Sequence, residues 1–565
     1  MSRSDGGVVL ALLIVLAVLA GTALGPSFAP AGTTSPSPSP GPTATADLGH
    51  VEGVLGRPSS ITPLTARTQA DRDLVALLFR GLVRLGPGSS VLPDLADRWT
   101  AGEAGATWTF HLRKDARWHD GVPVTSADVI YTVHVLQDPG YSGPLAATWA
   151  QVDVTAIDGR TVRFDLGDPV GGFLQAATLP LLPAHLLDGV PAASLADHAF
   201  AREPLGNGSF ALVDLTDDAA VLEPVLPPVF DPPEPLEDAG PGAPDVRTPR
   251  LARLELRFYD TAGALAAAFV AGEVESAGDL PAAAALALAD TTPEARAIRY
   301  PGTTVTAVTF NLRSPKGPFA DQRTRRGLLA AIDRAAMIDD LLGGGGARAD
   351  TLIPPSSWAY NAKSAPEVAY DRSAAAEDLK AAGWRRVNRA WIPPGAKTAL
   401  ELTLLAPERS ANPVTYEAAR RVAASWTSIG LATKVEALPP AEFVEKLRAG
   451  EFSAAVIDVN MGLDPDPYPI LASTQVREGG SNVAGYQNAT LDAALVAARA
   501  PGTITTRKKA YRNLQQLLGT LQPMPTLFFR DTVLVAGPDL AGPVARPVAD
   551  PGSRFWDVVR WAAGR

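Results

Sequence analysis

Apolar residues form one unbroken block near the N-terminus and then recur at helix and strand spacings along the rest of the chain. The block VVLALLIVLAVLA occupies residues 8–20, and the softer tail GTALG extends it to residue 25. The block suits the core of a signal peptide, whereas the extended segment spans about 27 Å as a helix, close to one bilayer crossing. We therefore predict a signal peptide or an uncleaved membrane anchor over residues 1–29. Prolines after both candidate cleavage sites favour the anchor.

Two segments show no hydrophobic periodicity. Residues 30–46, PAGTTSPSPSPGPTATA, are rich in Pro, Ser and Thr, so they predict an extended linker rather than a packed element. Residues 223–250 contain nine prolines and six acidic residues, which predicts an exposed loop insertion.

In the rest of the chain after residue 46, helix-type and strand-type patterns alternate. Apolar residues at helical spacing predict a helix over residues 71–85 and a long amphipathic helix over residues 323–342, which ends at a run of four glycines. Strands alternating with helices predict α/β lobes with substantially parallel sheets. The other predicted helices are residues 126–135, 261–272, 281–289, 373–382, 414–429 and 441–449, and the predicted strands are 107–112, 152–157, 161–166, 251–258, 303–312, 400–405, 432–437 and 454–459.

Composition narrows the possible classes of protein. Of 565 residues, 46% are hydrophobic and 19% are charged, which is typical of a globular protein. The net charge of −10 and the lack of a long basic run argue against nucleic acid as a partner. The chain has no Cys, which excludes disulfides, thiolate metal sites and a cysteine nucleophile.

The sequence contains no motif for an enzyme, a cofactor or a metal. The phosphate-binding GxxxxGK[ST] loop, the GxSxG nucleophile elbow and the HExxH zinc motif are all missing. Gly206-Asn207-Gly208 lacks the third glycine of a dinucleotide fingerprint and is predicted to be a turn. The six histidines form no pair at helical ligand spacing. We therefore predict no catalytic residue, no cofactor and no metal site.

Several local motifs occur in the order found in one known family. They include LLFRGLVRL…LPDLADRWT at 77–100, TWTFHLRKDARWHDGVPVTSADVIYT at 107–132 and NLRSPKGPFADQRTRRGLLAAIDR at 311–334. Together with PLGNGSF at 204–210 and AGEVESAGDLP at 271–281, they resemble the bacterial extracellular solute-binding proteins of family 5. This family contains the dipeptide-, oligopeptide- and nickel-binding components of ABC importers. The resemblance covers about residues 50–535.

The resemblance implies a two-lobed periplasmic-binding-protein-like fold (type II, cluster C) of the α/β class. The first lobe would comprise residues 47–88, 200–303 and 530–565, with an extra subdomain at 89–199 packed on it. Residues 304–529 would form the second lobe, so the chain would cross between lobes twice. The fold would follow the N-terminal hydrophobic helix and linker.

The implied function is that of the extracytoplasmic substrate-binding component of an ABC importer. A monomeric protein, periplasmic or at the cell surface, would capture peptides or similar small solutes by lobe closure. It would deliver them to a permease whose energy comes from a separate ATPase. One alternative is a membrane-tethered ligand sensor built on the same module. A secreted enzyme is a further alternative, but it would need a nucleophile or metal constellation that the sequence does not contain.

Two ligand contacts follow from the resemblance to dipeptide-binding members. Arg409-Ser410-Ala411-Asn412-Pro413 keeps the Arg, Asn and Pro of the family's R-P-Y-N-P segment, which implies that Arg409 binds a ligand carboxylate. The family's ammonium-binding Asp would fall on Met461 or Leu463 in VNMGLDPDPY at 459–468. Asp464 is then the nearest carboxylate and Asp466 the alternative. Either the Asp is shifted or the protein binds no free peptide amine, and a role in shaping the turn is equally open.

Aromatic residues and a group of arginines complete the candidate residues. Trp358, Tyr360 and Tyr468 are candidates for apolar pocket walls. Arg323, Arg325 and Arg326 lie at a predicted helix start, and we favour structural pairing over ligand contact for them. The predicted ligand-binding set is therefore Arg409, Asn412, Asp464, Asp466, Tyr468 and Trp358.

Overall fold

The computed structural model describes residues 49–86, 90–141, 143, 145–225, 250–477 and 480–563. The predicted signal peptide or anchor at 1–29, the linker at 30–46 and residues 226–249 of the predicted insertion lie outside the described residues. The described elements all belong to the unit Asp47–Arg565.

The described strands, in chain order, are β1 Gly49–Leu55, β2 Val83–Leu85, β3 Val91–Pro93, β4 Ala96–Ala101, β5 Thr107–Leu112, β6 Val152–Asp158, β7 Thr161–Leu166, β8 Phe210–Leu215, β9 Ala219–Pro224, β10 Arg253–Tyr259, β11 Ser276–Ala277, β12 Arg296–Tyr300, β13 Thr304–Phe310, β14 Gly346–Arg348, β15 Arg385–Val387, β16 Ala390–Ile392, β17 Leu402–Pro407, β18 Thr433–Leu438, β19 Ala454–Asn460, β20 Thr526–Arg530, β21 Thr532–Ala536, β22 Leu540–Ala541 and β23 Ala562–Ala563.

The described α-helices are α1 Gln69–Leu78, α2 Ser126–Gln137, α3 Ala146–Trp149, α4 Phe173–Ala176, α5 Ala184–Leu187, α6 Ala262–Val270, α7 Ala282–Thr291, α8 Gln322–Ala330, α9 Arg334–Leu342, α10 Arg372–Ala381, α11 Pro413–Ile429, α12 Pro440–Ala449, α13 Tyr468–Leu471, α14 Ala489–Arg499 and α15 Ile504–Leu521. A 3₁₀ segment, Pro551–Arg560, lies near the C-terminus.

Two large sheets and one smaller sheet organise the molecule. One has seven strands in the order β12-β21-β11-β1-β10-β9-β8, and another has six in the order β14-β20-β13-β19-β17-β18. The strands β4-β5-β7-β6 form a separate four-stranded sheet. The fold is therefore of the predicted α/β, two-lobed kind, with one large sheet in each lobe.

The sheets are mixed, so the prediction of substantially parallel sheets is wrong. Strand β1 runs parallel to β10 and β11, and β17 runs parallel to β18 and β19, but the other pairs in the two large sheets are antiparallel. Alternation of helices and strands along a sequence does not reveal hairpins. Strands β8 and β9, for example, are joined by a turn in which Thr216 N–H donates to the Ala219 carbonyl, and so tight a connection permits only antiparallel pairing.

The chain passes between the two large sheets at two places. It leaves the seven-stranded sheet after Tyr300 and enters the six-stranded sheet at Thr304, and it returns between Arg530 and Thr532. The Arg299 guanidinium donates to the Asp531 carboxylate at 2.7 Å beside these crossings. Two neighbouring linkers are the arrangement in which lobes can rotate about a hinge. The predicted residue boundaries of the lobes and of the subdomain stay predictions.

The helix predicted over 71–85 is shorter than expected. Helix α1 ends at Leu78, because Phe79 is extended and the Leu78 carbonyl accepts hydrogen bonds from the N–H groups of Asn207 and Gly208. A Cβ on Gly206 would lie 2.0 Å from that carbonyl oxygen, so the close approach requires glycine. Of the remaining residues, Val83–Leu85 form β2, which pairs with β3.

The helix predicted over 323–342 is two helices. Helix α8 ends at Ala330, and the Asp333 carboxylate then accepts from Ala336 N–H at 3.0 Å and caps α9. The buried Arg325 guanidinium donates to the carbonyls of four residues, Phe319, Ala320, Leu521 and Gln522. This arginine therefore ties α8 to the end of α15, in keeping with a structural role.

A buried ion cluster joins distant parts of the first lobe. The fully buried Arg554 guanidinium donates to Glu52 on β1 and to Asp73 on α1, each at 2.6 Å, and lies 3.4 Å from Asp279. Burial and repulsion by Asp73 and Glu52 raise the pKa of Asp279 well above its ordinary value. The cluster fastens the C-terminal 3₁₀ segment to the first strand and the first helix.

We expect Arg554→Met to lower the free energy of unfolding by about 3–5 kcal/mol, because it leaves buried carboxylates without their counterion. Denaturant unfolding of the purified protein measures the change. The matched control is Arg421→Met, which removes an exposed ion pair with Asp340 and should cost less than about 1 kcal/mol. Equal losses for both variants would contradict the role assigned to Arg554.

Candidate functional site

A cavity of about 780 Å³ lies where the two lobes meet. Helix α1 and the C-terminal 3₁₀ segment line it from the first lobe. Trp149 and Gly172 line it from the region of the four-stranded sheet, and Gly462 and Asp464, which follow β19, line it from the second lobe. The volume lies within the range of small-molecule sites, about 300–1,000 Å³. A solute here would contact both lobes at once.

The cavity wall combines apolar surface with an excess of basic groups. Aromatic side chains such as Phe79, Trp149, Phe555 and Trp556 contribute apolar surface. The charged residues of the wall are Arg72, Arg80, Arg84, Arg113, Arg546, Arg560, Asp94, Asp464, Asp550 and Asp557. Such a wall suits a ligand that has an apolar body and at least one negative group.

Two of the predicted site residues, Asp464 and Trp358, contact Arg507 of α15. The guanidinium makes a two-pronged ion pair with Asp464, at 2.9 and 2.8 Å, and its face lies 4.7 Å from the Trp358 ring centre. Asp464 is only 5% exposed, and burial raises the pKa of its carboxyl while the ion pair with Arg507 opposes the rise. Both carboxylate oxygens of Asp464 are thus already engaged by the protein.

Two more of the predicted residues, Asp466 and Tyr468, contact Arg499 of α14. Its guanidinium lies 3.3 Å from the Asp466 carboxylate and 4.2 Å from the Tyr468 ring centre. Asp466 also accepts from Tyr468 N–H at 3.0 Å, so it shapes the turn before α13. The structure therefore brings Trp358, Asp464, Asp466 and Tyr468 together around two arginines.

Arg409 and Asn412 lie apart from that group. The Arg409 side chain is 71% exposed, pairs with Glu417 at 3.5 Å and is not among the described residues that line the cavity. Asn412 caps α11 through Thr415 N–H and donates its side-chain amide to Asp458 at 2.8 Å. Asp458 also binds Arg530 at 2.6 Å, so this network joins β19, α11 and β20.

A glycine pair next to the four-stranded sheet touches the second lobe directly. Gly171 N–H donates to the Arg499 carbonyl at 2.8 Å, and Arg507 donates to the Gly171 carbonyl at 3.3 Å. An added Cβ on Gly171 would lie 2.8 Å from Arg507 Nε, and one on Gly172 would lie 2.8 Å from Asp464 Oδ2. The contact therefore depends on the absence of side chains here.

Sequence reasoning did not identify Arg499, Arg507 or the two glycines. The adjacent glycines of DPVGGF at 168–173 were a usable signal, because paired glycines often mark a close backbone approach. The arginines carry no such signal, since each lies on an ordinary amphipathic helix and finds its acid only in the folded chain.

The cavity wall also contains a carboxyl with a shifted pKa. Burial raises the pKa of Asp557 to about 6, although hydrogen bonds from Trp561 and Val544 and the nearby Arg546 oppose the rise. Between its ordinary value and about 6, the folded state holds a proton that the unfolded state releases. The contribution of Asp557 to stability therefore falls as the pH rises through this window.

We expect the free energy of unfolding of the wild type, relative to Asp557→Asn, to fall by about 2 kcal/mol between pH 4 and pH 7. The asparagine does not titrate, so subtracting its profile removes the contributions of other groups. Denaturant unfolding at a series of pH values measures the difference. Parallel profiles would contradict the raised pKa.

We expect Gly171→Val to drive the Gly171 loop away from Arg507 and to disfavour the closed arrangement of the lobes. If the closed form falls to a tenth of its population, the apparent ligand affinity falls about tenfold. Small-angle scattering should show a larger radius of gyration for the variant. The control is Gly159→Val, where an added Cβ meets no atom within 4 Å. An unchanged radius and affinity in Gly171→Val would show that the contact is dispensable.

Two kinds of feature are absent from the described residues. None of the described helices combines the length and apolar character needed to cross a bilayer. No set of three or more His, Asp or Glu side chains in the described part of the chain is placed to hold a metal ion.

Comparisons with known proteins give one consistent result. Residues 90–481 match the profile described as bacterial extracellular solute-binding proteins, family 5 Middle. The chain is 24% identical over 518 residues to the oligopeptide-binding protein AppA of Bacillus subtilis, covering 90% of this chain and 91% of that protein. It is 26% identical over 471 residues to heme-binding protein A of Haemophilus influenzae, covering 79% and 80%.

A solved structure supports the fold. NikZ of Campylobacter jejuni, crystallised with Ni(L-His), superposes with a TM-score of 0.70 at 23% identity, covering 91% of this chain and 99% of NikZ. The comparisons give no support to the alternative of a ligand sensor. The family profile matches more than half of the residues of this chain. The chain therefore belongs to the bacterial extracellular solute-binding proteins, family 5.

Proposed function

We propose that this protein is the substrate-binding component of an ABC importer and that it captures peptides outside the plasma membrane. The single observation that carries the proposal is the cavity between the two lobes of a family 5 solute-binding protein. The protein hands its ligand to a permease, and a separate ATPase supplies the energy. It is a monomer that is anchored to the membrane or secreted.

Peptides fit the cavity better than a purely apolar or purely ionic ligand. Aromatic walls suit apolar side chains, and guanidinium and carboxylate groups around them suit charged peptide ends. The similarity to a protein named as oligopeptide-binding supports this choice. Haem and chelated nickel, which appear in the names of other relatives, are the alternatives that an experiment must separate.

Lobe closure supplies the mechanism. The two linkers at 301–303 and 531 let the lobes rotate, and a ligand can drive closure only through contacts that it makes better in the closed form. A ligand in the cavity touches both lobes, so it makes such contacts. The protein releases the ligand unchanged, which means that it needs no nucleophile or proton-transfer group.

Native mass spectrometry of the freshly purified protein tests the proposal. We expect co-purified peptides, and calorimetry with the identified peptides should give one bound molecule per protein. Retained haem or a nickel chelate, with no peptide, would reject the ligand class. Cleaved peptides appearing during incubation would reject the binding-only role.

Arg409 remains a predicted contact of the ligand carboxylate, and the variant Arg409→Ala tests whether it binds the ligand. If it binds the ligand, Arg409→Ala should weaken the affinity for an identified peptide by more than twofold. A change within twofold would agree instead with the exposed position of Arg409 beside Glu417.

A further inference from the structure

Three arginines of the cavity wall, Arg84, Arg546 and Arg560, have no acidic partner among the described residues. Arg72 has none there either, but its guanidinium donates to the Gln69 side chain and the Arg67 carbonyl. Arg80 pairs with Asp94 at 2.9 Å, which leaves that carboxylate occupied. Within the described residues, no carboxylate oxygen lies within 4 Å of the guanidinium nitrogens of Arg84, Arg546 or Arg560. A partly buried guanidinium without a counterion is unfavourable, because burial removes water that would otherwise solvate its charge.

Arg84 is the most poorly satisfied of the three. It lies on β2, and no hydrogen bond to its guanidinium occurs within the described part of the chain. Burial lowers its pKa, attraction to Asp94 opposes the shift, and repulsion from Arg80 and Arg560 adds to it. No described residue therefore occupies the Arg84 donors, which can bind a group that enters the cavity.

Arg546 approaches the same place from the C-terminal region. It donates to the Leu85 carbonyl at 2.8 Å, and its guanidinium lies 4.3 Å from the Trp556 ring centre. Its buried Nε has no hydrogen-bond partner among the described residues. Burial lowers the pKa of Arg546 to about 10, opposed by Asp557 and assisted by Arg84. Stacking on Trp556 thus holds the Arg546 guanidinium in place, although no described residue accepts a hydrogen bond from its Nε–H.

We propose that Arg84, Arg546 and Arg560 form an anion subsite of the interlobe cavity and that it binds a carboxylate of the ligand. An arriving carboxylate would supply the counterion and the acceptors that the described residues do not provide. Guanidinium forks match the planar geometry of a carboxylate. This inference rests on the proposed function, because it specifies which part of the peptide the cavity recognises.

The carboxylate would be the C-terminal group or an acidic side chain of the peptide. Beside the subsite, Trp556 and Phe555 offer apolar surface for the adjoining part of the ligand. Phosphate is also an oxyanion that accepts hydrogen bonds from guanidinium groups, so the experiment must distinguish phosphate from carboxylate.

The experiment compares two tripeptide libraries that are identical except at the C-terminus, one with free acids and one with amides. Native mass spectrometry measures the retention of each library by the wild type, Arg84→Gln and Arg84→Lys. We expect the wild type to prefer the free acids and Arg84→Gln to lose about 10- to 100-fold in affinity, the usual effect of removing a charge-assisted hydrogen bond. Arg84→Lys, which keeps the charge, should lose less.

Arg421→Gln is the control, since Arg421 lies on α11 and pairs with Asp340 away from the cavity wall. Melting curves in succinate, phosphate and chloride at equal ionic strength provide a second measurement. Succinate should raise the melting temperature of the wild type and the control but not of Arg84→Gln. Because Arg84 makes no described hydrogen bond, we expect the Gln variant to fold.

The outcomes separate this inference from the proposed function. Equal retention of both libraries by the wild type and by Arg84→Gln would overturn the subsite and leave peptide binding standing. Retention of neither library, with succinate stabilisation lost in Arg84→Gln, would support the subsite and reject the peptide. Stabilisation by phosphate alone would overturn the carboxylate assignment, and no response to any probe would overturn the subsite.

Discussion

The buried Arg554 guanidinium is the interaction on which the cavity depends. Through Glu52 and Asp73 it joins β1, α1 and the C-terminal 3₁₀ segment, which are far apart in sequence. Helix α1 and that segment also line the cavity from the first lobe. A lost counterion in the core would therefore displace the groups that face the ligand, since α1 and the segment pack on each other around Arg554.

The core and the cavity have opposite charge imbalances. In the core, one arginine faces three acids, and the imbalance is relieved by the raised pKa of Asp279, which favours a neutral carboxyl. The cavity has the reverse imbalance, because arginines outnumber acids among the described residues of its wall. Arginine keeps its proton at physiological pH, so no internal titration can neutralise the excess. An external anion can do so, and under the proposed function this connects the charge pattern of the described wall to the chemistry of the ligand.

Most of the helices and strands that local patterns predicted are present in the structure, and the two helices predicted too long are explained by long-range contacts or by an interrupted helix. The strand at 303–312 and the helix at 414–429 agree with β13 and α11 within two residues, because their periodicity and caps are local. Residues 71–85 were predicted as one helix. The helix ends early because the N–H groups of Asn207 and Gly208 donate to the Leu78 carbonyl, and the local sequence does not show this contact. That error also hid Arg84, which belongs to a short strand at the cavity. The acid partners of Arg499 and Arg507 are likewise set only by tertiary structure.

Under the proposed function, ligand binding and lobe closure would both involve one ion pair, Arg507 with Asp464. Asp464 lines the cavity, and Arg507, which holds it, also donates to the Gly171 carbonyl on the opposite side of the cleft. A ligand that packs against Asp464 therefore touches the same rigid unit that contacts the first lobe. The pair is buried, and Trp358 packs against the Arg507 guanidinium, so Asp464 is attached to α15. Occupancy of the cavity and the contact at Gly171 then favour the same closed arrangement, which is the condition that a ligand-driven hinge must meet.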